Sequence, residues 1–212
     1  MRLWDISPPL SSATAVFPGD TPFSIERTWH QGPDCPVNVS RVTMSTHSGA
    51  HADAPLHYDA GGVDAATVPL RAYLGPCRVV HLAPGRDRIE PADLHGHLEP
   101  ASPRLLVRTT PRAVIDRFPA AFPTVSPEAI NLLADAGGLL IGVDTPSLDP
   151  ADSKTLDAHH AVRRRGLAIL EGLLLDDVPE GRYELIALPL RLVGADASPV
   201  RAVLRTLPRG SA

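Results

Sequence analysis

The segment HSGAHADAPLHYDAGG at residues 47–62 carries the densest group of chemically reactive side chains in the sequence. Residues 38–46, which precede it, are rich in β-forming residues and alternate in polarity, so they predict a strand. Gly49 and Pro55 disfavour a regular helix through the segment. We therefore expect a tight loop at the end of a strand, where side chains can converge on one point that solvent still reaches.

Three of the nine histidines and one aspartate in this segment follow the pattern H-x3-H-x-D-x3-H. They are His47, His51, Asp53 and His57. Imidazole nitrogens and carboxylate oxygens together suit a divalent ion such as zinc, manganese or cobalt. The alternative is a histidine-rich surface loop whose spacing is incidental, but four such residues in one loop shaped by glycine and proline favour a metal site.

More distant ligands are expected, because one loop seldom completes a metal site. The best candidates are His159 or His160 together with Glu171. The apolar residues of 158–173 recur at helical spacing and predict a helix, although the histidine could also lie in a loop before it. Glu171 could equally be an acid on the surface of that helix near Arg164. The residues alone leave both choices open.

The remaining pattern indicates one mixed α/β domain over residues 1–212, with no stretch that resembles a linker. Ser126-Pro127-Glu128 is a typical helix start, and that helix should end near Ala136, before two glycines. Short apolar or alternating runs predict further strands in a mixed or largely antiparallel sheet, at 1–8, 78–82, 104–109, 139–143, 183–190 and 200–204.

Composition narrows the possible partners and the compartment. The net charge of −4 argues against a nucleic-acid partner, and no apolar run approaches the ~18 residues of a membrane span. The first residues lack the apolar core of a signal peptide. Cys35 and Cys77 do not make a disulfide framework, which fits a reducing compartment. We expect a cytoplasmic enzyme that acts on a small molecule.

The segment STHSGAHADAPLHYDAGG (45–62) resembles the signature H-x-G-T-H-x-D-x-P-x-H of the cyclase-type metal-dependent hydrolases. Within that family it is most similar to the bacterial kynurenine formamidases, or arylformamidases. Further similar blocks occur in the same order and extend the resemblance over nearly the whole chain: VFPGDTPF (16–23), GVDTPSLDP (142–150), residues 159–192 and DASPVRAVL (196–204).

The resemblance implies two metal sites that share one aspartate. His47, His51 and Asp53 would hold the first ion. Asp53, His159 and Glu171 would hold a second, because the family's distal histidine lies twelve residues before the glutamate. The metal is normally zinc, with two ions per subunit, and manganese or cobalt are alternatives.

The resemblance also implies roles for His57 and Phe17. His57 would be the catalytic acid and base, and Phe17 would pack on the substrate. The sequence departs from the family pattern at two points, with Ala50 in place of the signature threonine and Phe17 where tryptophan is common. Phenylalanine can still stack on an aryl ring, with less area and without an N–H donor.

The implied fold is a single-domain, swivelling β/β/α arrangement with a mixed sheet, assembled as a homodimer or homotetramer. The implied reaction is hydrolysis of N-formyl-L-kynurenine to L-kynurenine and formate, in tryptophan degradation. One alternative is another amide or lactam hydrolase of the same superfamily, acting on isatin or a cyclic imide. The other is a metal-binding or structural domain without catalysis, but His57 beside a full ligand set argues against it.

Overall fold

A computed structural model describes residues 1–207, so the last five residues of the predicted domain, 208–212, lie outside the described part. The three α-helices found there are α1 (Pro91–Leu94), α2 (Pro127–Asp135) and α3 (Asp157–Arg165). The strands found there are β1 (Leu3–Asp5), β2 (Ser24–Trp29), β3 (Val39–Thr43), β4 (His51–Asp53), β5 (Leu74–His81), β6 (Arg88–Ile89), β7 (Arg104–Arg108), β8 (Thr124–Val125), β9 (Leu140–Val143), β10 (Ala168–Leu170), β11 (Gly181–Ile186), β12 (Ala197–Pro199) and β13 (Val203–Thr206).

The main sheet has seven strands in the order β1-β13-β11-β5-β7-β9-β10. In this order, β1, β13, β11 and β5 pair with their neighbours in antiparallel fashion. The neighbours β5, β7, β9 and β10 pair in parallel. The predicted mixed sheet of an α/β fold is therefore confirmed. All four residues of β9 are buried, as expected for a strand that is covered on both faces. Among residues 1–207, no helix has the length and hydrophobicity needed to cross a membrane.

Alternate residues of the central strands enter two separate apolar cores. In β7, Leu105 and Val107 pack on the side that α2 and α3 cover, whereas Leu106 packs on the opposite side. The second side is closed by β4, whose Ala52 belongs to that core. The two cores thus make three layers, with helices, the main sheet and the small β4–β12 pair in succession.

The predicted helix over 158–173 is correct only in its first half. Helix α3 ends at Arg165 because Gly166 takes a left-handed conformation with φ of 66°, which closes the helix. The chain then forms β10, parallel to β9. Ile169 and Leu170 enter opposite cores, which is the alternation of a strand. The helix predicted from Ser126 is confirmed, and the Ser126 hydroxyl accepts a hydrogen bond from the Ala129 N–H at 3.1 Å.

The loop expected for 47–62 is also only partly correct. Residues 45–50 turn, but His51–Asp53 forms the short buried strand β4, which pairs with β12. The partner strand lies more than 140 residues away in the sequence, so the local pattern gives no sign of it. The strand predicted at 38–46 is present as β3, but it pairs with β2 in an exposed hairpin outside the main sheet.

Candidate metal centre

Strand β4 brings two predicted ligands onto one face. Because side chains alternate along a strand, His51 and Asp53 point to the same side, and Ala52 points into the core. The His51 and Asp53 side chains are almost completely buried. Two residues that the sequence placed in an open loop are therefore held rigidly inside the protein.

A backbone bridge joins β4 to the chain that leaves β10. The His51 N–H donates to the Glu171 carbonyl at 3.1 Å, and the Glu171 N–H donates to the His51 carbonyl at 3.0 Å. At the next residue, Gly172, φ is 65°, and a Cβ atom would lie 2.4 Å from the Gly49 carbonyl oxygen. Only glycine allows this approach. The bridge places the Glu171 carboxylate beside the imidazole of His51.

Five predicted ligands converge in a group that we call the five-ligand cluster. Asp53 is at its centre: Oδ1 lies 3.1 Å from His47 Nδ1 and 3.5 Å from His51 Nε2, and Oδ2 lies 3.3 Å from His159 Nε2. Glu171 closes the opposite side. Its Oε2 lies 3.3 Å from His51 Nε2, and its Oε1 lies 3.5 Å from His159 Nε2.

Hydrogen bonds outside the cluster orient two of its imidazoles. His51 Nδ1 lies 2.9 Å from the Gly49 carbonyl oxygen, and His159 Nδ1 lies 2.6 Å from Asp149 Oδ2. Both acceptors require the proton on Nδ1, so the Nε2 lone pair of each ring points into the cluster. This is the usual arrangement of metal-binding histidines. His160, the alternative to His159, is exposed.

Asp149 also fixes the helix that carries His159. Its two carboxylate oxygens accept hydrogen bonds from the Ala158 and His159 N–H groups, at 3.0 and 3.1 Å. Leu156, just before the helix, has a φ of 47°, a strained conformation for a residue with a side chain. Asp149, which the sequence analysis did not single out, therefore positions both the helix start and the imidazole.

The residues of the cluster fit a divalent cation. The Nε2 atom of His51 and the Oδ1 atom of Asp53 are buried and have no hydrogen-bond partner among residues 1–207. Buried polar atoms are rarely left unpaired, and these two face each other. One carboxylate oxygen and two imidazole nitrogens, from His47, His51 and Asp53, all lie within 4.8 Å of one another. Nitrogen and oxygen donors of this kind bind zinc, manganese or cobalt.

The pKa shifts of the clustered residues also favour a bound cation. Burial lowers the pKa of His47, but Asp53 and Asp196 outweigh it and raise the pKa to about 9. Burial raises the pKa of Asp53, yet the histidines around it hold that pKa well below its usual range. The cluster therefore attracts positive charge strongly. A metal that enters it must displace the protons that the histidines otherwise hold.

His57 lies at the open side of the cluster, next to an acid that the sequence analysis missed. Its Nδ1 atom is 3.4 Å from Asp196 Oδ2, and the same oxygen is 3.1 Å from His47 Nε2. The His57 side chain is 33% exposed, whereas that of His159 is 1% exposed. Asp196 begins the similar block DASPVRAVL, and that was its only signal in the sequence.

A cavity of about 730 Å³ opens onto the exposed side of the cluster. Phe17 lies on its wall, half exposed, with its ring edge-on to Phe118 at 5.3 Å between centroids. Asp144 also faces the cavity, but its carboxylate already accepts hydrogen bonds from the N–H and hydroxyl groups of Thr109 and Thr110. The cavity therefore combines a polar floor with an aromatic wall.

The family model Cyclase, described as "Putative cyclase", matches residues 4–150, more than half of the chain. The chain belongs to the cyclase family. A potential metal-dependent hydrolase with cyclase activity is 33% identical in sequence, has a TM-score of 0.81 and aligns over 96% of both chains. A predicted metal-dependent hydrolase from Bacillus stearothermophilus is 32% identical, has a TM-score of 0.78 and aligns over 96% of this chain and 97% of its own.

An isatin hydrolase A from Labrenzia aggregata has the same fold, with a TM-score of 0.81 over 96% of this chain and 93% of its own. Its sequence is 24% identical, so the likeness concerns the fold alone. The two relatives above 30% identity are both described as metal-dependent hydrolases, which agrees with a cluster that can hold a metal.

We expect Asp149→Asn to weaken metal binding by about 10- to 100-fold, the usual effect of removing an outer carboxylate from a ligating histidine. The amide keeps the shape but loses the charge that orients His159 and supports its donor strength. Zinc titration of metal-free protein, with a competing chelator as reporter, measures the change. Asp152→Asn, an exposed acid of the same loop, is the control. Equal affinities for the two variants would contradict the role of Asp149.

Proposed function

We propose that this cyclase-family protein is a metal-dependent amide hydrolase that converts N-formyl-L-kynurenine to L-kynurenine and formate. One observation carries the proposal: His47, His51 and Glu171 of the five-ligand cluster line an aromatic-walled cavity, with His57 at its open edge. The proposal includes zinc as the metal, with two ions per subunit, and a homo-oligomer in the cytoplasm.

The chain's own residues can carry the proton transfers of this reaction. Water attacks the formyl carbon, the C–N bond breaks, and formate and the arylamine leave. His57 takes a proton from the attacking water and returns it to the departing nitrogen, a common task of histidine. When bound, a divalent ion lowers the pKa of water and polarises a carbonyl oxygen. The partly exposed position of His57 on the cavity side suits the exchange of protons.

The cavity walls favour an aromatic amide that carries a carboxylate. Phe17 and Phe118 offer apolar ring surface to an aryl group. Arg117 is the only lysine or arginine among the described residues that line the cavity, and it forms no salt bridge within residues 1–207. N-formylkynurenine has a carboxylate at the end opposite its formyl group. Isatin is neutral and offers Arg117 no such partner.

The direct test is formate release from N-formyl-L-kynurenine by the zinc-loaded protein, with isatin ring opening measured in parallel. We expect formate release that stops with a chelator and returns when zinc is added. Elemental analysis of the same samples relates activity to metal content. Isatin opening without formate release would favour the lactam alternative. Formate release that persists after complete removal of the metal would exclude the metal-dependent proposal.

His57→Ala should retain its metal and lose turnover by about 10²- to 10⁴-fold, the usual range for general acid–base catalysis. The reason is that His57 is not needed to complete the five-ligand cluster. Formate release and elemental analysis together measure both properties. His160→Ala removes an exposed histidine of α3 and should leave both unchanged. Turnover of the His57 variant at the wild-type rate would show that this residue does not transfer the proton.

Arg117→Ala should raise KM for N-formyl-L-kynurenine by about 10- to 100-fold, because a hydrogen bond to a charged group contributes about 1.5–3 kcal/mol. The same variant should leave KM unchanged for formanilide, a neutral substrate with the same formyl amide. Arg112→Ala, an exposed arginine outside the cavity lining, is the matched control. Equal rises in KM for both substrates would mean that Arg117 shapes the cavity rather than binding a carboxylate.

A further inference from the structure

We propose that Asp196 is a positioning residue that sets the tautomer and the orientation of His57 and ties this base to the metal ligand His47. The inference rests on the proposed hydrolase function and adds a residue to it. The carboxylate of Asp196 touches both imidazoles with one oxygen. It therefore connects the side of the site that holds a cation to the side that moves a proton.

Both oxygens of the Asp196 carboxylate are held in place. Its Oδ1 accepts a hydrogen bond from the Thr46 hydroxyl at 2.9 Å. Its Oδ2 lies 3.1 Å from His47 Nε2 and 3.4 Å from His57 Nδ1. A carboxylate that satisfies three neighbours at once has one orientation, whereas a loose surface acid would have many.

The backbone of Asp196 is anchored with equal firmness. Its carbonyl accepts a hydrogen bond from the Ala54 N–H at 2.9 Å, and the next residue, Ala197, pairs with Asp53 in the β4–β12 ladder. The ladder that places the central metal ligand therefore also places Asp196. A shift of β12 by one residue would turn the Asp196 side chain to the opposite face.

The chemistry of a carboxylate then determines the proton on each ring. An ionised carboxylate accepts hydrogen bonds and cannot donate them, so Nδ1 of His57 must carry its proton. That leaves the Nε2 lone pair of His57 free to take a proton from water. One ring nitrogen of His57 lies within 4.8 Å of donor atoms of Asp53 and His159, which puts the base beside the cluster.

The same logic applies to His47. Its Nε2 donates to Asp196, so its Nδ1, 3.1 Å from Asp53 Oδ1, is the nitrogen that would bind a cation once its proton is displaced. Asp196 thus accepts a hydrogen bond from His47 as Asp149 does from His159, so each of these two predicted ligands has a carboxylate behind its ring. The competing interpretation is a further cation site made by His47, His57 and Asp196, whose donor atoms also lie within 4.8 Å of one another.

A double-mutant cycle on the zinc-loaded protein separates these roles. Asp196→Asn should lower kcat for formate release by about 10- to 100-fold with little change in KM, because an amide both donates and accepts and no longer dictates the tautomer. At saturating zinc the zinc content should remain that of the wild type, although the affinity should fall as in Asp149→Asn, because the carboxylate behind His47 loses its charge. Combined with His57→Ala, the substitution should cause no further loss, because Asp196 acts through His57.

The control variant is Asp152→Asn, which should keep the wild-type kcat. Losses that multiply in the double variant would overturn the proposal, because Asp196 would then act independently of His57. A lower zinc content in Asp196→Asn at saturating zinc would do the same and would favour the further cation site.

A second measurement does not depend on activity. Two-bond ¹H–¹⁵N correlation spectra of the zinc-loaded, ¹⁵N-histidine-labelled protein report which ring nitrogen carries the proton, and His57→Ala assigns the signals. We expect a single Nδ1–H tautomer for His57 in the wild type and a mixture in Asp196→Asn. An Nε2–H tautomer in the wild type, or identical spectra for the two proteins, would refute the positioning role. If the wild type releases no formate, the proposed substrate is wrong, and these spectra still decide the role of Asp196.

Discussion

Two carboxylates, those of Asp53 and Glu171, are buried in one cluster, at 2% and 3% exposure. Buried anions are costly unless positive charge compensates them, and two in one cluster repel each other as well. Imidazoles from separate segments surround the two acids, and those of His51 and His159 each lie close to both carboxylates. Imidazoles compensate only when they carry protons or share a cation with the acids. The burial of this acid pair is therefore the constraint that the rest of the site satisfies.

The fold meets this constraint by bringing distant chain segments to one edge of the sheet. Parallel strands β9 and β10 end there, and their loops supply Asp149 and Glu171. Ligands commonly bind at the carboxyl ends of parallel strands for the same reason. Strand β4 then crosses this edge, held by its backbone bridge to Glu171. Gly172 allows the close approach, so a single residue without a side chain permits two segments of the cluster to meet.

Residues close together in the sequence were predictable, and those that long-range pairing brings in were not. The H-x3-H-x-D-x3-H pattern identified four side chains because they share one short segment. The apolar spacing of 158–173 fits both a helix and a helix followed by a strand, and the left-handed Gly166 decided between them. If the helix were continuous, Glu171 would be expected on its surface, whereas in the structure it is buried. Asp196 reaches the site only through the register of β12 on β4, which no local pattern reveals.

Exposure within the site follows a gradient that matches the two tasks of the proposed mechanism, cation binding and proton transfer. His51, His159 and the two acids are buried against the sheet, so their geometry is set by packing and by outer hydrogen bonds. His57 and Asp196 are partly exposed on the cavity side. Rigid, dry surroundings favour tight retention of a cation, because competing water is excluded. Proton exchange instead needs contact with solvent. The Asp196 carboxylate, shared by His47 and His57, links the two regions, so that in the proposed mechanism one side of the cluster holds the cation while the other passes protons to the cavity.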